Sequence, residues 1–257
     1  MTTPPDVASG RATTGSPGTR VLGGLTLAGL ALLLGYSFLW SPADIAQQDA
    51  VRLMYVHVPT SIVAFTACFI TTFASAMWLR RKSDGWWVLG AASAEVAVVF
   101  TGVCLLTGSI WGRITWGTYW DWDPRITSTT MLFILLIGYL ALRRIDSEAG
   151  DPAQRGARSA IVGLLLFPNV MIVHFSVDWW RSLHQTATIT RLDPTIEGTM
   201  LFTLMLGIVV FSMLFVWLLI HRFRLSWIEE RLGSTGLDAA IGERRAEAGV
   251  PAMGGTV

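Results

Sequence analysis

Residues 200–220 read MLFTLMLGIVVFSMLFVWLLI, a run of 21 positions without a charged side chain. A helix rises about 1.5 Å per residue, so about 20 residues cross a hydrocarbon core of about 30 Å. Because lipid offers no hydrogen-bond partner to polar backbone groups, a run of this length predicts a membrane-spanning helix.

Five further apolar runs precede this one, at residues 21–40, 55–79, 86–106, 126–142 and 160–175. The chain of 257 residues is 52% hydrophobic and 14% charged, whereas soluble domains carry about 25% charged residues. Its 12 Trp are typical of proteins with many side chains at membrane–water interfaces. The sequence therefore predicts an all-α, polytopic bundle of six transmembrane helices.

The distribution of Arg and Lys sets the predicted orientation, because cytoplasmic loops are enriched in basic residues. The N-terminal tail, the loops after the second and fourth runs, and the C-terminal tail hold 14 of the 19 basic residues. Both termini are therefore expected in the cytoplasm, and the other three loops outside it. Residues 1–20 are predicted to be a disordered tail, 21–221 the membrane domain, and 222–257 a tail that is amphipathic first and then disordered.

The external loop at residues 107–125 is unusually aromatic, since residues 111–122 contain four Trp and one Tyr. Trp116 and Trp120 are four residues apart, so on a helix they share a face, and with Trp111 they form a flat aromatic shelf. Such a shelf fits a porphyrin, which is a flat apolar ring with two carboxylates. The alternative is an ordinary interfacial belt of aromatic residues, which does not account for this density in one loop.

Three of the four histidines lie at the same predicted face as this loop. His57 opens the second run, His174 ends the fifth, and His184 lies in the loop that follows. His221 lies at the opposite face. A single His at a helix end is most often solvated, but three beside a Trp-rich loop form a candidate ligand set, because imidazole is a common axial ligand of heme iron.

Arg52 and Arg125 are basic residues on the face where topology disfavours them. Arginine forms bidentate hydrogen bonds with carboxylates, so both are candidates for binding the propionates of a porphyrin. Pairing with a nearby aspartate is an equal alternative for them: Asp121, Asp123 or Asp178. Glu95, near the middle of the third run, is expected to be functional, protonated or paired, because a carboxylate inside a membrane is costly.

Three segments resemble the CcmC family of heme-handling proteins in cytochrome c maturation, and they occur in that family's order. They are residues 55–59, residues 116–127, which are similar to the family's Trp-rich WWD motif, and residues 174–185. The resemblance covers roughly residues 20–225. Three positions depart from the usual pattern of the motif: Tyr119, Pro124 and Ile126.

The resemblance implies a multi-pass inner-membrane protein that holds heme b at its external face and passes it to the periplasmic heme chaperone CcmE. It also implies work beside the ABC transporter subunits CcmA and CcmB and the small membrane protein CcmD, in the lipid bilayer and without enzymatic turnover. The family's two axial histidines correspond to His57 and His184; His174 is expected deeper in the bundle and hydrogen-bonded there. The residues expected around the porphyrin are Trp111, Trp116, Tyr119, Trp120, Trp122, Asp123, Arg125 and Arg52.

Two other classes of membrane protein stay open at this point. A b-type electron-transfer cytochrome usually sets its His pairs well inside the helices, whereas the candidate ligands here lie at one face. A membrane subunit of an ABC transporter needs neither the Trp-rich loop nor three external histidines. A heme absorption band in the purified protein would separate a heme carrier from such a subunit.

Overall fold

The computed structural model describes residues 14–148, 156–185 and 196–247, and these residues form six long helices. They are α1 (Pro17–Gly35, continued to Trp40 by a π-helical turn), α2 (Met54–Arg81), α3 (Asp84–Trp116), α4 (Pro124–Glu148), α5 (Ala157–Trp179) and α6 (Gly198–Glu247). All six are long and apolar enough to cross a membrane. Apart from one isolated bridge between Asp44 and Gln48, the described residues contain no β-structure. The predicted all-α architecture with six spans is confirmed.

The first helix begins earlier than the apolar run that predicted it, at Pro17 rather than at residue 21. Proline is well suited to a first helical position because the N–H that it lacks would have no partner there. Ser16 caps the helix: its side chain accepts a hydrogen bond from the Thr19 N–H, and the Thr19 side chain accepts one from the Ser16 N–H. Residues 1–13, for which disorder is expected, lie outside the described residues.

Two other helices also extend beyond their apolar runs. α3 continues to Trp116 and includes about half of the expected loop at residues 107–125. α6 continues without interruption to Glu247, through the first part of the C-terminal tail, which was expected to be amphipathic, and into the part for which disorder was predicted. Residues 248–257, for which disorder is expected, lie outside the described residues.

The helices are arranged so that one end of the bundle collects the predicted site residues. α2, α3, α4 and α5 contact one another in a ring, in that order, and α6 packs against α2 and α3 with α1 against α6. Large side chains that are fully buried fill the centre of the bundle, among them Tyr55, Leu132, Leu136, Tyr139, Leu166 and Leu204. Because successive helices alternate in direction, α2 and α4 begin at the end of the bundle where α3 and α5 finish.

The carboxylate within the third span is paired with an arginine of the sixth. Arg222 on α6 donates to both carboxylate oxygens of Glu95, from Nη2 to Oε1 at 2.7 Å and from Nε to Oε2. A second carboxylate, that of Glu229, lies 3.4 Å from Arg222 Nη1. Bidentate pairing reduces the cost of placing either charge in an apolar region. Of the alternatives for Glu95, the paired form is therefore the one found.

Six spans put the start of α1 and the end of α6 on one side of the membrane, and the cytoplasmic position of that side remains a prediction. We expect alkaline phosphatase, which is active only outside the cytoplasm, to be active when fused after Trp122 and inactive when fused after Ser83. A reporter that is active only in the cytoplasm should give the reverse pattern. Phosphatase activity at Ser83 would invert the orientation and place the Trp-rich segment in the cytoplasm.

Candidate functional site

A cavity of about 610 Å³ opens at the end of the bundle where α3 and α5 finish. Its walls come from α2, α3, α4 and α5, together with the segments that follow α3 and α5 and Gln47 in the segment before α2. Cavities of roughly 300–1,000 Å³ with apolar walls and a few polar groups are typical of small-molecule sites. Most of the residues that the sequence singled out line this one: His57, Trp111, Trp116, Trp120, Arg125 and His184.

One face of α3 forms a wall of the cavity. Four residues line the cavity at the spacing of a single helical face: Cys104, Gly108, Trp111 and Thr115. The indole N–H of Trp111 donates a hydrogen bond to the side-chain oxygen of Gln47 at 2.7 Å, which fixes the ring. Cys104 and Gly108 were not predicted as site residues, although their distances in sequence from Trp111 place them on the same face.

The aromatic shelf is built differently from the prediction. α3 ends at Trp116 because Gly117 adopts a left-handed conformation, with φ at 79°, which glycine takes without a steric penalty. Trp116 and Trp120 therefore do not lie on one helix, but the chain turns back after Gly117 and both rings line the cavity. Tyr119 and Trp122 do not line it, and their side chains are 62% and 69% exposed.

His57 lies in the first turn of α2 with its ring against α3. Its Nδ1 lies 3.0 Å from Thr107 Oγ1, and that hydroxyl donates its own proton to the Val103 carbonyl at 2.8 Å. The Thr107 oxygen is thus left to accept a hydrogen bond from His57, which assigns the ring proton to Nδ1. The ring meets that of Trp111 edge-on, with centroids 5.7 Å apart. His57 consequently has an unprotonated Nε2.

His184 lies in the segment after α5 and is held by Asp123, at the start of α4. His184 Nδ1 lies 3.0 Å from Asp123 Oδ2, and the imidazole meets the Trp116 ring edge-on with centroids 4.6 Å apart. The same carboxylate oxygen accepts hydrogen bonds from the Leu183 N–H at 3.2 Å and from the Ser182 hydroxyl. A carboxylate can only accept here, so His184 also carries its proton on Nδ1 and has an unprotonated Nε2.

The protonation of this pair follows from its surroundings. Burial alone would raise the pKa of Asp123, but hydrogen bonds from Ser182, the Ile126 N–H and His184 outweigh it and lower that pKa. Burial lowers the pKa of His184 more than its contact with Asp123 raises it. Near pH 7, Asp123 is therefore charged and His184 is neutral. Asp123 was predicted to contact the porphyrin, but it does not line the cavity and contacts His184 instead.

The two arginines proposed for propionate binding differ in position. Arg125 lines the cavity, donates from Nη2 to the His174 carbonyl at 2.9 Å, and has a buried Nε without a partner among the described residues. Arg52 does not line the cavity: it pairs with Asp49 at 2.9 Å and donates to the Ser37 carbonyl. Only Arg125 therefore has a guanidinium at the cavity surface, and within the described ranges it makes no ion pair.

His174 is placed differently from its predicted position. Its side chain is exposed and lines the cavity, with the ring edge-on to Phe175 at 4.9 Å. It was expected to be hydrogen-bonded inside the bundle, but its ring makes no hydrogen bond with any residue that the structure describes. The cavity therefore has three imidazoles, of which His57 and His184 are oriented by a partner at Nδ1.

Comparison with known proteins gives a match over most of the sequence. Residues 12–237 match the model of the CcmC family, described as heme exporter protein C. The chain belongs to the heme exporter protein C family. The matched region includes every residue that lines the cavity. The resemblance found in the Trp-rich segment is thereby confirmed, and the chain, with its six spans, is a multi-pass membrane protein.

Individual relatives agree with this assignment. Heme exporter protein C of Haemophilus influenzae is 36% identical over 210 residues, which is 80% of this chain and 82% of that protein. Heme exporter protein C of Bradyrhizobium diazoefficiens is 35% identical over 222 residues, covering 84% of this chain and 82% of its own length. The protein of that name in Escherichia coli K12 is 34% identical over 193 residues, covering 74% and 75%.

Proposed function

We propose that the chain binds heme b as cargo at the periplasmic face of the inner membrane and transfers it to the chaperone CcmE during cytochrome c maturation. Membership of the heme exporter protein C family places it among membrane components of heme export. To this family assignment the proposal adds the two histidine ligands of the iron, the periplasmic face as the site of binding, and CcmE as the acceptor of the heme. It is supported above all by two imidazoles that line one aromatic-walled cavity, each with Nδ1 engaged and Nε2 unprotonated.

The residues of the cavity fit the chemistry of heme. Iron takes two axial ligands, and a neutral imidazole whose second ring nitrogen is hydrogen-bonded is a well-oriented one. The indole rings of Trp111, Trp116 and Trp120 provide apolar, polarizable surface for a porphyrin. Arg125 supplies guanidinium donors suited to a propionate. In this function the protein carries heme without converting it to a product.

A b-type electron-transfer cytochrome is less well supported. Electron transfer across a membrane calls for a second heme or acceptor near the opposite face. The one histidine at that end, His221, hydrogen-bonds Thr14 at 2.9 Å and packs edge-on against Trp217. Within the described residues, no second pair of histidines lies together.

We propose further that the chain acts in a complex with the ABC transporter subunits CcmA and CcmB and the small membrane protein CcmD. This part of the proposal is supported by the family resemblance alone. Co-purification from membranes that contain tagged CcmB would test it, and the recovery of CcmB without this chain in mild detergent would contradict it.

The experiment that tests the proposed function is heme loading followed by transfer. The full chain, purified in detergent and given heme, should show the Soret band of a six-coordinate low-spin heme. On mixing with apo-CcmE and separating the two proteins, heme should be recovered on the chaperone. A chain that retains no heme would contradict heme binding, whereas a stable heme complex that apo-CcmE cannot unload would contradict only the transfer step.

Replacing Gly108 with alanine should weaken heme binding without unfolding the protein. A Cβ at this position would lie 2.9 Å from His57 Cε1, which is closer than side chains approach. The imidazole is the end of a mobile side chain, so we expect it to rotate away from its position and the heme affinity to fall, with the melting temperature nearly unchanged. Gly138→Ala on α4 is the matched control, because nothing lies within 4 Å of a Cβ there. Equal heme affinity in both variants would show that the His57 ring position is not important for binding.

A further inference from the structure

We propose that the two axial histidines are unequal ligands, with His184 bound more tightly and His57 released first. The difference arises from their partners at Nδ1, which are a carboxylate for His184 and a hydroxyl for His57. This inference rests on the proposed function, since it assigns an order to the release of heme from the two ligands. It makes Asp123 and Thr107 positioning residues that set the strength of the bond that each imidazole forms with iron.

The carboxylate strengthens the His184 bond. An anionic acceptor at Nδ1 pulls the proton of the imidazole toward itself and so increases the electron density at Nε2. Asp123 is buried, and its Oδ2 accepts hydrogen bonds from the Ser182 hydroxyl and the Leu183 N–H as well as from His184, which holds the carboxylate in place as the acceptor for Nδ1. His184 therefore has the character of a strong donor to iron.

The hydroxyl gives His57 much less support. Thr107 is neutral, and its proton is directed to the Val103 carbonyl, so it accepts only an ordinary hydrogen bond from Nδ1. The other polar groups near the ring belong to Cys104: its Sγ lies 3.9 Å from Nδ1 and is a weak acceptor, and its backbone carbonyl is a neutral acceptor like the hydroxyl. His57 Nε2 is consequently the weaker donor of the pair.

The positions of the two ligands fit this order of release. Asp123 is anchored at three further points, through Ile126 at the start of α4 and through Ser182 and Leu183 beside the ligand, so His184 is fixed to the rim of the cavity. His57 lies on α2, against the wall formed by α3. A heme that leaves His57 first stays attached at the external segment, where a partner outside the membrane can reach it.

Carbon monoxide tests this order directly. CO binds ferrous heme in place of the weaker axial ligand, and the Fe–C and C–O stretching frequencies report the ligand that remains on the other side. We expect the CO complex of the heme-loaded wild type to have the frequencies of the His57→Gly complex, in which His184 is the histidine that remains. If they match those of the His184→Gly complex instead, the proposed order is wrong.

Substitution of the two partners supplies a second, independent readout. The CO complex of Asp123→Asn should have Fe–C and C–O frequencies that differ from those of the wild type. Its heme affinity should be about 10- to 100-fold lower, as is usual for loss of a ligand's outer partner. Thr107→Val should leave those frequencies unchanged, and Thr107→Ser, which keeps the hydroxyl, is its control. A shift in Thr107→Val together with none in Asp123→Asn would overturn the inference. Absence of heme from the wild type would instead refute the proposed function.

Discussion

Replacement of His57 or His184 by alanine is expected to convert a six-coordinate, low-spin heme into a five-coordinate, high-spin one. Each histidine lines the cavity with its Nε2 unprotonated, so the removal of either leaves one axial position of the iron without a protein ligand. Loss of an outer partner of a ligand lowers metal affinity by about 10- to 100-fold, so loss of the ligand itself should cost at least as much. The measurements are the Soret and visible bands, the magnetic spectrum, and the heme content after gel filtration.

Three controls make this result specific. Imidazole added to His57→Ala should restore the low-spin spectrum, because it occupies the vacated position without requiring the side chain. His221→Ala should leave the heme unchanged, since that residue lies at the opposite end of the bundle and hydrogen-bonds Thr14. His174→Ala should also leave the iron low-spin, although its ring lines the same cavity. A high-spin His174→Ala, with a low-spin His57→Ala or His184→Ala, would overturn the ligand assignment.

The membrane-spanning helices could be predicted because a bilayer requires long apolar helices, and long apolar runs are visible directly in the sequence. The end of α3 could not be predicted in this way, since a helix continues as long as its backbone hydrogen bonds are made, and residues 107–116 make them beyond the end of the apolar run. The signal that ends the helix is local and readable in retrospect. Gly117 is the residue at which a left-handed conformation costs least.

The sequence could predict which histidines and tryptophans line the cavity, but not the groups that orient the two histidines. Histidine and tryptophan are uncommon enough that their clustering in three segments is informative. The hydroxyl that holds His57 is 50 residues away in sequence, and the carboxylate that holds His184 is 61 away, so only the packing of α3 and α4 brings them together. Asp123 was predicted to contact the porphyrin, and in the structure its carboxylate contacts the His184 imidazole.

The partners of Arg52 and Arg125 were also not predicted from the sequence, although one of these partners is only three residues away. Arg52 and Arg125 are equivalent by topology, and for both the sequence left propionate binding and pairing with an aspartate as equal alternatives. Arg52 follows Asp49 by three residues in a 3₁₀ turn, and that spacing is enough to bring the two side chains together at 2.9 Å. The sequence-based alternatives named Asp121, Asp123 and Asp178 and missed the nearer Asp49. The direction of the Arg125 side chain depends on its contact with α5.

Replacement of Trp116 by alanine is expected to weaken heme binding by about 5- to 150-fold. Stacking of a flat aromatic ligand on a side-chain ring contributes roughly 1–3 kcal/mol by alanine substitution, and about 1.4 kcal/mol corresponds to a factor of ten. Trp116 also supports the His184 ring, at 4.6 Å between centroids, so its loss should loosen a ligand as well as remove a wall. The measurements are heme affinity by titration and the rate of heme loss to apomyoglobin.

The matched control for this variant is Trp40→Ala. Trp40 is an exposed tryptophan at the end of α1, at the same end of the bundle, and it does not line the cavity. If the rings act only as an interfacial belt, the two substitutions should affect membrane insertion and heme affinity alike. If Trp116 forms part of the heme site, only Trp116→Ala should lose affinity, and added imidazole should recover little of it because the porphyrin-facing surface is still missing. If Trp116→Ala binds heme with normal affinity and loses it at the normal rate, Trp116 is not part of the heme site and acts only as an interfacial residue.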